Sequence, residues 1–448
     1  MPKIAVISLG CAKNLVDTEI MLGQLIDGGF ELTQNFSEAE LILVNTCGFI
    51  QSAKEESINH ILEMARYKEP EQGHCSKLVV AGCLVQRYAT ELAREIPEVD
   101  AWINLSEIGS VIDLIKDSNR EILKNSDPPF LNNQNLQRYH VTLPHTTYVK
   151  IAEGCNHCCS YCAIPLIKGG YRSRTPEAII NETVALVKSG VREINLIAQD
   201  ITMYGCDLPG NFRLKELLAG IISEANPHWI RLLYAYPTGI DDELLEFIAA
   251  QPTICKYIDI PLQHINSRIL RMMNRPDSPD QIKKLLEKIK SKIPEITLRT
   301  TFIVGFPSES DQEFQELLNF VAEGYFQHVG VFTYSAEEGT AAFAHKPKVK
   351  ESMKQDRRNR LLDTQRPISA RFLANLTGKQ FEILIDKVLP DGAIVGRTPF
   401  LAPEVDGVVL GKNFSGNPGD FRKGKIVDSD EYNLWAEELS EKCIEPGN

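Results

Sequence analysis

Short apolar runs alternate with amphipathic stretches over the first 116 residues. Three runs rich in β-branched residues, at 4–11, 41–47 and 78–83, each have the length and apolar character of a buried parallel strand. Helical patterns follow them at about 14–28, 51–67 and 86–95. This alternation predicts an α/β fold, with a doubly wound parallel sheet over residues 1–116.

A second alternating region follows a linker at 117–146 that is rich in Asn, Pro, Asp and Gln. Helical patterns such as 175–189 and 311–323 separate six strand candidates, at 147–153, 192–199, 229–236, 257–262, 297–306 and 328–335. Six such units predict a partial TIM-like barrel within a domain at 147–377, which ends in a charged helix at 350–376. In barrels of this kind the chemistry lies where strands end and loops begin.

The pattern changes again from Gly378 onward. Short strands separated by Gly, Pro and Asp predict a small antiparallel β-barrel over residues 378–448. We therefore expect three domains and one linker in this chain.

Composition narrows the class of protein. The chain has 448 residues, 43% of them hydrophobic, which is ample for several cores. Its 11 cysteines are sparse over this length, no secretory signal precedes them, and no apolar run is long enough to span a membrane. We expect reduced thiols and a cytoplasmic protein that does not bind membranes.

Three cysteines follow the first predicted strand of the central domain. Cys155, Cys159 and Cys162 have the spacing C-x₃-C-x₂-C, which can bind three irons of a [4Fe–4S] cluster and leave the fourth iron open. An open iron can bind and reduce a small molecule, most plausibly S-adenosylmethionine (SAM). Structural zinc is the alternative, but it prefers four ligands in pairs. We expect the additional Cys158 not to bind the iron.

A second cysteine set, Cys11, Cys47 and Cys83, lies at the ends of the three predicted strands of the first domain. The two intervals are both 36 residues. Because the carboxyl ends of parallel strands meet at one edge of a sheet, the three thiols are expected to lie together. A cysteine at a strand end is often only a small buried residue, but three at one edge favour a second cluster with a free iron.

These features resemble the radical-SAM methylthiotransferases, whose central domain stands between an auxiliary-cluster domain and a TRAM domain. The resemblance covers essentially the full length. It rests on Ser-Leu-Gly-Cys-Ala-Lys-Asn at 8–14, Val-Asn-Thr-Cys-Gly-Phe-Ile at 44–50, Ala-Gly-Cys-Leu-Val-Gln-Arg-Tyr at 81–88, the Cys155 loop, and Asp-Ile-Pro-Leu-Gln-His at 259–264. The chain is most similar to the branch that methylthiolates an aspartate of ribosomal protein uS12.

The resemblance implies two [4Fe–4S] clusters and SAM as both radical source and methyl donor. The cluster on Cys155, Cys159 and Cys162 would cleave SAM, and the one on Cys11, Cys47 and Cys83 would carry the sulfur that is transferred to the aspartate β-carbon. The positions expected to contact SAM are Tyr161, Gln199, Arg299 and Gly305. The last three have ordinary alternatives: Gln199 as a helix cap, Arg299 in an ion pair and Gly305 in a turn.

Charge favours a basic substrate. The chain has a formal net charge of −12, and residues 377–448 hold 8 Lys plus Arg against 13 Asp plus Glu, a net charge of −5. Phosphate binding depends on clustered cations, so this charge favours a basic protein and no tRNA. The resemblance implies uS12 or the small ribosomal subunit as that partner, and an electron donor such as flavodoxin or ferredoxin.

Two departures from the family pattern matter. Leu401 replaces an aspartate in the run 396–407, so a substrate contact is expected to be missing or moved, and Lys168 replaces an arginine. The alternatives that remain open are a tRNA methylthiotransferase of the MiaB kind, a radical-SAM enzyme of unrelated outcome, and a non-catalytic iron–sulfur redox or ribosome-binding module.

Overall fold

A computed structural model of the chain describes residues 1–116, 129–210 and 212–439. Part of the predicted linker, 117–128, and the last nine positions of the predicted small barrel lie outside these ranges. No helix in the described ranges is both long and apolar enough to cross a membrane.

The first domain contains a five-stranded parallel sheet in the order β2-β1-β3-β4-β5. The three predicted strands are confirmed, and the sheet gains two short edge strands. Cys83, expected at a strand end, is the first residue of a helix, because Gly82 turns the chain with φ +103°. The elements are β1 (Lys3–Ser8), α1 (Ala12–Asp27), β2 (Glu31–Leu32), β3 (Leu41–Thr46), α2 (Gln51–Ala65), β4 (Lys77–Gly82), α3 (Cys83–Glu95), β5 (Ala101–Ile103) and α4 (Val111–Lys116).

The central region contains six parallel strands in chain order, which confirms the partial barrel. Helices start at side-chain caps such as Thr175, Ser278 and Ser310. The elements are β6 (Thr146–Lys150), β7 (Ala152–Glu153), α5 (Ile164–Lys168), β8 (Arg172–Ser173), α6 (Pro176–Lys188), β9 (Glu193–Ile197), α7 (Leu214–Glu224), β10 (Trp229–Leu232), α8 (Asp242–Ala250), β11 (Ile254–Asp259), α9 (Ser267–Met272), α10 (Pro279–Lys292), β12 (Thr297–Val304), α11 (Asp311–Ala322), β13 (His328–Thr333) and α12 (Glu351–Ala374).

The described part of the predicted linker is held by buried charges. The Arg138 guanidinium pairs with Glu19 of α1 and, at 2.7 Å, with Glu182 of α6. Although burial alone would raise the pKa of Glu182, Arg174 and Arg138 lower it to about 2. This segment therefore joins the first domain to the central barrel.

The C-terminal strands close into a barrel in the order β14-β15-β16-β18-β17. They are β14 (Gln380–Val388), β15 (Ile394–Arg397), β16 (Val409–Lys412), β17 (Phe421–Ser429) and β18 (Leu434–Glu438). The predicted small barrel is confirmed, but β16 and β18 pair in parallel, so it is not wholly antiparallel.

This small barrel covers the amino ends of the central strands. Arg397 lies 2.6 Å from Glu193 of β9 and 2.7 Å from Asp386, while Arg231 of β10 lies 3.0 Å from Glu193. The Tyr257 hydroxyl of β11 donates to Asp406 at 2.7 Å. Charged groups from both domains thus pair in a buried interface.

Leu401, the departure from the family pattern in the run 396–407, is fully buried and packs in the core of the small barrel. An apolar side chain in this core is shielded from other molecules by its own domain. Position 401 is therefore a packing position, which agrees with the expectation that a substrate contact is missing or moved there.

Candidate active site

All six predicted cluster cysteines line one cavity of about 390 Å³. The cavity lies where the carboxyl ends of the first sheet face the carboxyl ends of the central barrel. Cys11, Cys47 and Cys83 enter from the first domain, and Cys155, Cys159 and Cys162 enter from the loop after β6 and β7. Two cysteine sets that are 72 residues apart at their nearest in the sequence therefore share one space.

Close backbone approach brings the first set together. Gly10 has φ +94°, and a Cβ atom there would lie 3.2 Å from the Cys47 Sγ, so a side chain would displace that thiol. Asn14 links the set further: its Oδ1 accepts from the Cys83 thiol at 3.3 Å, and its Nδ2 donates to the Thr46 carbonyl at 2.9 Å.

The chemistry of this donor set fits an iron–sulfur cluster. The pKa of Cys83 is raised to about 12, mainly by burial; Lys168 opposes this rise, and the neighbouring Cys11 and Cys47 add to it. Iron ligands must be thiolates, so binding a cluster would release protons from these thiols, and the positive iron–sulfur core would offset the repulsion between the resulting thiolates.

The second set stands on a loop that is fixed from both sides. The Cys155 amide donates to the Gly169 carbonyl at 3.1 Å, and the Cys162 amide donates to the Cys159 carbonyl at 3.1 Å. Ser160 donates to the Met272 and Met273 carbonyls at 2.7 and 2.9 Å. Burial raises the pKa of Cys155 to about 11 and that of Cys162 to about 12.

Cys158 is exposed and lies outside the cavity lining. Its carbonyl accepts a hydrogen bond from the Asn274 amide group at 2.7 Å. In the ranges that the structure describes, no group of three or more His, Cys, Asp or Glu side chains is arranged to hold a single metal ion.

Two of the four positions expected to contact SAM lie in the cavity lining. Tyr161 is half-buried there, and burial raises its pKa well above the usual range. Gln199 donates from Nε2 to Glu153 Oε1 at 3.1 Å, and its own Oε1 is buried without a hydrogen-bond partner. A buried acceptor without a donor at a cavity wall suits a ligand that carries N–H groups.

The other two lie outside the lining. Arg299 pairs with Asp259 at 3.0 Å and lines a second cavity beside His328 and Asp406, near the amino ends of the strands. Arg299 lies two residues before Thr301 on the same face of β12, and Thr301 lines the main cavity. Gly305, with φ +72°, donates its amide to Glu309 and is covered by the Lys354 side chain.

Aromatic and charged groups near the Cys155 loop were missed by sequence reasoning. His157 pairs with Asp200 at 2.7 Å and stacks on Tyr236 with ring centroids 3.7 Å apart. The Arg275 guanidinium lies 4.2 Å from the Tyr236 ring centroid. These residues come from four separate loops with no common spacing, so only the folded chain unites them.

Four buried charges form a compact group at the cavity wall, and one of them, Lys168, lines the cavity. The Lys150 ammonium lies 2.5 Å from Asp17 and 2.6 Å from Glu153, and that of Lys168 lies 3.4 Å from each carboxylate. Burial alone would raise the pKa of Glu153, but Lys150 and Lys168 lower it to about 2. The two lysines and two carboxylates are balanced in charge, and we refer to them as the charge quartet.

The fold and the paired cysteine sets define a radical-SAM enzyme with a second cluster domain, a radical-SAM methylthiotransferase. Three family descriptions match in order: Uncharacterized protein family UPF0004 at 3–104, the Radical SAM superfamily at 149–321 and the TRAM domain at 377–438. Solved structures of low identity share the fold. The radical SAM methyltransferase TsrM from Kitasatospora setae is 14% identical, with a TM-score of 0.55 over 76% of this chain and 77% of TsrM.

Curated relatives are much closer in sequence. Proteins named ribosomal protein uS12 methylthiotransferase RimO are 44% identical in Heliobacterium modesticaldum, 45% in Desulforamulus reducens and 43% in Geobacter sulfurreducens. Each alignment covers 98% of this chain and 95–99% of the relative. The chain belongs to the RimO family. The predicted enzyme class and the predicted SAM and [4Fe–4S] cofactors are thereby confirmed.

Proposed function

We propose that this protein methylthiolates the β-carbon of an aspartate in ribosomal protein uS12. The observation that carries the proposal is the single cavity that receives both cysteine sets. Two clusters that face one space can act on one carbon, whereas a pure electron carrier has no need of a shared substrate cavity. Membership of the RimO family supports uS12 as the substrate.

Each cysteine set has one proposed role. Cys155, Cys159 and Cys162 would hold the radical-generating cluster, and Cys11, Cys47 and Cys83 would hold the auxiliary cluster. When bound, these clusters and SAM supply hydrogen abstraction by a 5′-deoxyadenosyl radical and the methylthio group that replaces the hydrogen. The protein orients the substrate carbon and excludes water from the cavity.

Other lining residues would bind SAM. Tyr161 offers an aromatic face next to Cys162, and the free Gln199 Oε1 would accept a hydrogen bond from the SAM amino group or ribose. We assign no SAM contact to Arg299 or Gly305, because other groups of the protein already occupy both.

The mouth of the cavity suits a protein segment. Phe49 and Phe332, which line it, are 36% and 54% exposed and offer apolar contacts. The chain's net charge of −12 favours a basic protein over tRNA. We propose a cytoplasmic enzyme that acts on uS12 or the small ribosomal subunit and receives electrons from a donor such as flavodoxin or ferredoxin.

The test uses the full-length chain with both clusters reconstituted anaerobically. It is incubated with SAM, a reductant, and either uS12 or unmodified tRNA. We expect 5′-deoxyadenosine and a uS12 product in which one hydrogen of the target aspartate is replaced by a methylthio group. Modified tRNA together with unmodified uS12 would favour a tRNA methylthiotransferase of the MiaB kind. An absence of 5′-deoxyadenosine would favour a non-catalytic redox module.

A further inference from the structure

Lys13 carries a buried positive charge from the first domain into the mouth of the central barrel. It stands in the first turn of α1, two residues after Cys11, and is only 7% exposed. Its ammonium lies 3.6 Å from the centroid of the Tyr234 ring and 3.4 Å from the Ala198 carbonyl oxygen. Both neighbours follow strands of the central barrel, so the charge lies between the two domains at the cavity wall.

Among the described residues, no carboxylate contacts the Lys13 ammonium directly. Burial lowers the pKa of Lys13, but the nearby Tyr234, Cys11 and Glu153 together raise it above the usual value. The nearby charge quartet contains two cations and two anions, and Lys13 is not part of it. Burying an ammonium without a counter-ion is costly, and a ring face and one long carbonyl contact offset only part of the cost. The cavity is therefore suited to an anion at this point.

Besides Lys13, and Lys168 of the charge quartet, the cavity lining contains the cation Arg275. Arg275 lies among Tyr161, Tyr236 and Cys159, on the side of the radical-cluster loop, and its Nη2 donates to the Pro261 carbonyl at 2.9 Å. A SAM carboxylate near that loop would find this guanidinium nearby. Lys13 stands on the side of Cys11, where the sulfur and the substrate carbon must meet.

We propose that the Lys13 ammonium binds the side-chain carboxylate of the substrate aspartate. The inference rests on the function proposed above. In aspartate the β-carbon is bonded directly to the carboxylate carbon. A cation that holds the carboxylate in place therefore also positions the C–H bond that reacts. The same contact selects aspartate over asparagine, since a neutral amide leaves the buried charge unpaired.

The experiment compares the reconstituted full-length protein with its Lys13→Met variant. Binding is measured by fluorescence anisotropy with a uS12-derived peptide that carries the target aspartate and with a matched peptide that carries asparagine. We expect the protein to prefer the aspartate peptide by about 10- to 100-fold, the range for a hydrogen bond to a charged group, and Lys13→Met to remove that preference. Lys13→Arg should retain part of it.

Lys256→Met is the matched control. Its ammonium also contacts backbone carbonyls, of Ile248 and Gln251, but it lies outside the cavity lining. This variant should keep the full preference. Iron content should be unchanged in both variants, and Lys256→Met should also keep peptide-independent formation of 5′-deoxyadenosine.

Five outcomes would overturn the inference. Equal loss of both peptides would make Lys13 a packing residue. Weaker SAM binding without peptide would assign Lys13 to the SAM carboxylate, and loss of iron would assign it to the auxiliary cluster. If the parent protein bound neither peptide, the proposed uS12 function would fail as well. If Lys13→Met still modified uS12 and still preferred the aspartate peptide over the asparagine peptide, only the role of Lys13 would be rejected.

Discussion

The central barrel meets its two neighbouring domains in opposite ways. At the carboxyl ends of its strands, six thiols and the Lys13 ammonium face a common cavity. At the amino ends, Arg397 and Arg231 both pair with the buried carboxylate of Glu193. One end thus carries the thiols and an ammonium without a carboxylate partner, beside the charge quartet, and the other end carries ion pairs that join two domains. The difference separates the end that performs chemistry from the end that holds the domains together.

The largest effect is expected in the Cys155 loop. Cys159→Ala should remove the radical cluster and abolish 5′-deoxyadenosine formation, because one of three thiolates is lost. Cys158→Ala is the control, since that thiol is exposed and outside the lining, and it should keep near-normal activity. The readout is iron and 5′-deoxyadenosine per protein after anaerobic reconstitution, and equal iron loss in both variants would reject the ligand assignment.

Cys47→Ala should divide the reaction into its two parts. Removal of this thiol disrupts the auxiliary cluster but leaves the Cys155 loop intact, so we expect SAM cleavage to continue while methylthio transfer to uS12 stops. Product mass spectrometry, run beside the 5′-deoxyadenosine assay, measures both steps. Normal methylthiolation in this variant would exclude a sulfur-carrying role for the set.

At the amino ends, Arg397→Met should affect stability rather than chemistry. It leaves Glu193 and Asp386 buried without this partner, and breaking one side of a buried ion pair costs about 3–5 kcal/mol. Calorimetric unfolding should show the loss, while the folded fraction still cleaves SAM. Arg94→Met, at an exposed pair with Glu95, is the control and should change little. Similar stability of the two variants would contradict the assigned role of the interface.

Acid should weaken the same interface. Burial opposes ionisation of Glu193, but Arg397 and Arg231 lower its pKa below the usual value. A lowered folded-state pKa contributes stability that is fully present above the unfolded pKa, about 4.3, and is lost as the pH falls through the folded pKa. In Arg397→Met the folded pKa rises, so the loss of melting temperature should begin at higher pH. Superimposable pH profiles of the parent and variant would argue against this coupling.

The smallest effect is expected on the exposed face of the small barrel. Glu404 is exposed, whereas the neighbouring Asp406 carboxylate is buried against Tyr257 and His328. Glu404→Lys should therefore change stability by no more than about 0.5 kcal/mol. If this acidic surface attracts uS12, affinity should fall a few-fold at low salt and recover its parent value at high salt. A salt-independent change, or none, would remove the surface charge from substrate binding.

Much of the architecture was predictable because its signals are local. Alternating apolar runs gave all six central strands within a few residues, since burial on both faces of a parallel sheet demands such runs. The three cysteines at one edge followed from the same reasoning. The cysteine spacing and the neighbouring motifs were sufficient to indicate the family, because short-range ligand geometry is written directly in the sequence.

Contacts between distant parts of the chain were not predictable in this way. The run 396–407 predicted a missing or moved substrate contact at Leu401, but it did not show that Leu401 packs in the core or that Asp406 lies against the amino ends of the central strands. Arg299 was expected to contact SAM, and the structure shows it paired with Asp259, outside the lining of the main cavity.

The sequence by itself determined the main strands of the first two domains, the change to a small β-barrel, the two cysteine sets and the family. Only the tertiary structure decided that both sets share one cavity, that Lys13 brings to it an ammonium without a carboxylate partner, and that the small barrel covers the opposite end. The physical reason is range. Helix and strand periods and ligand spacings act over a few residues, whereas the pairing of buried charges depends on groups more than 100 residues apart, such as Arg397 and Glu193, meeting in a medium where an unpaired charge is costly.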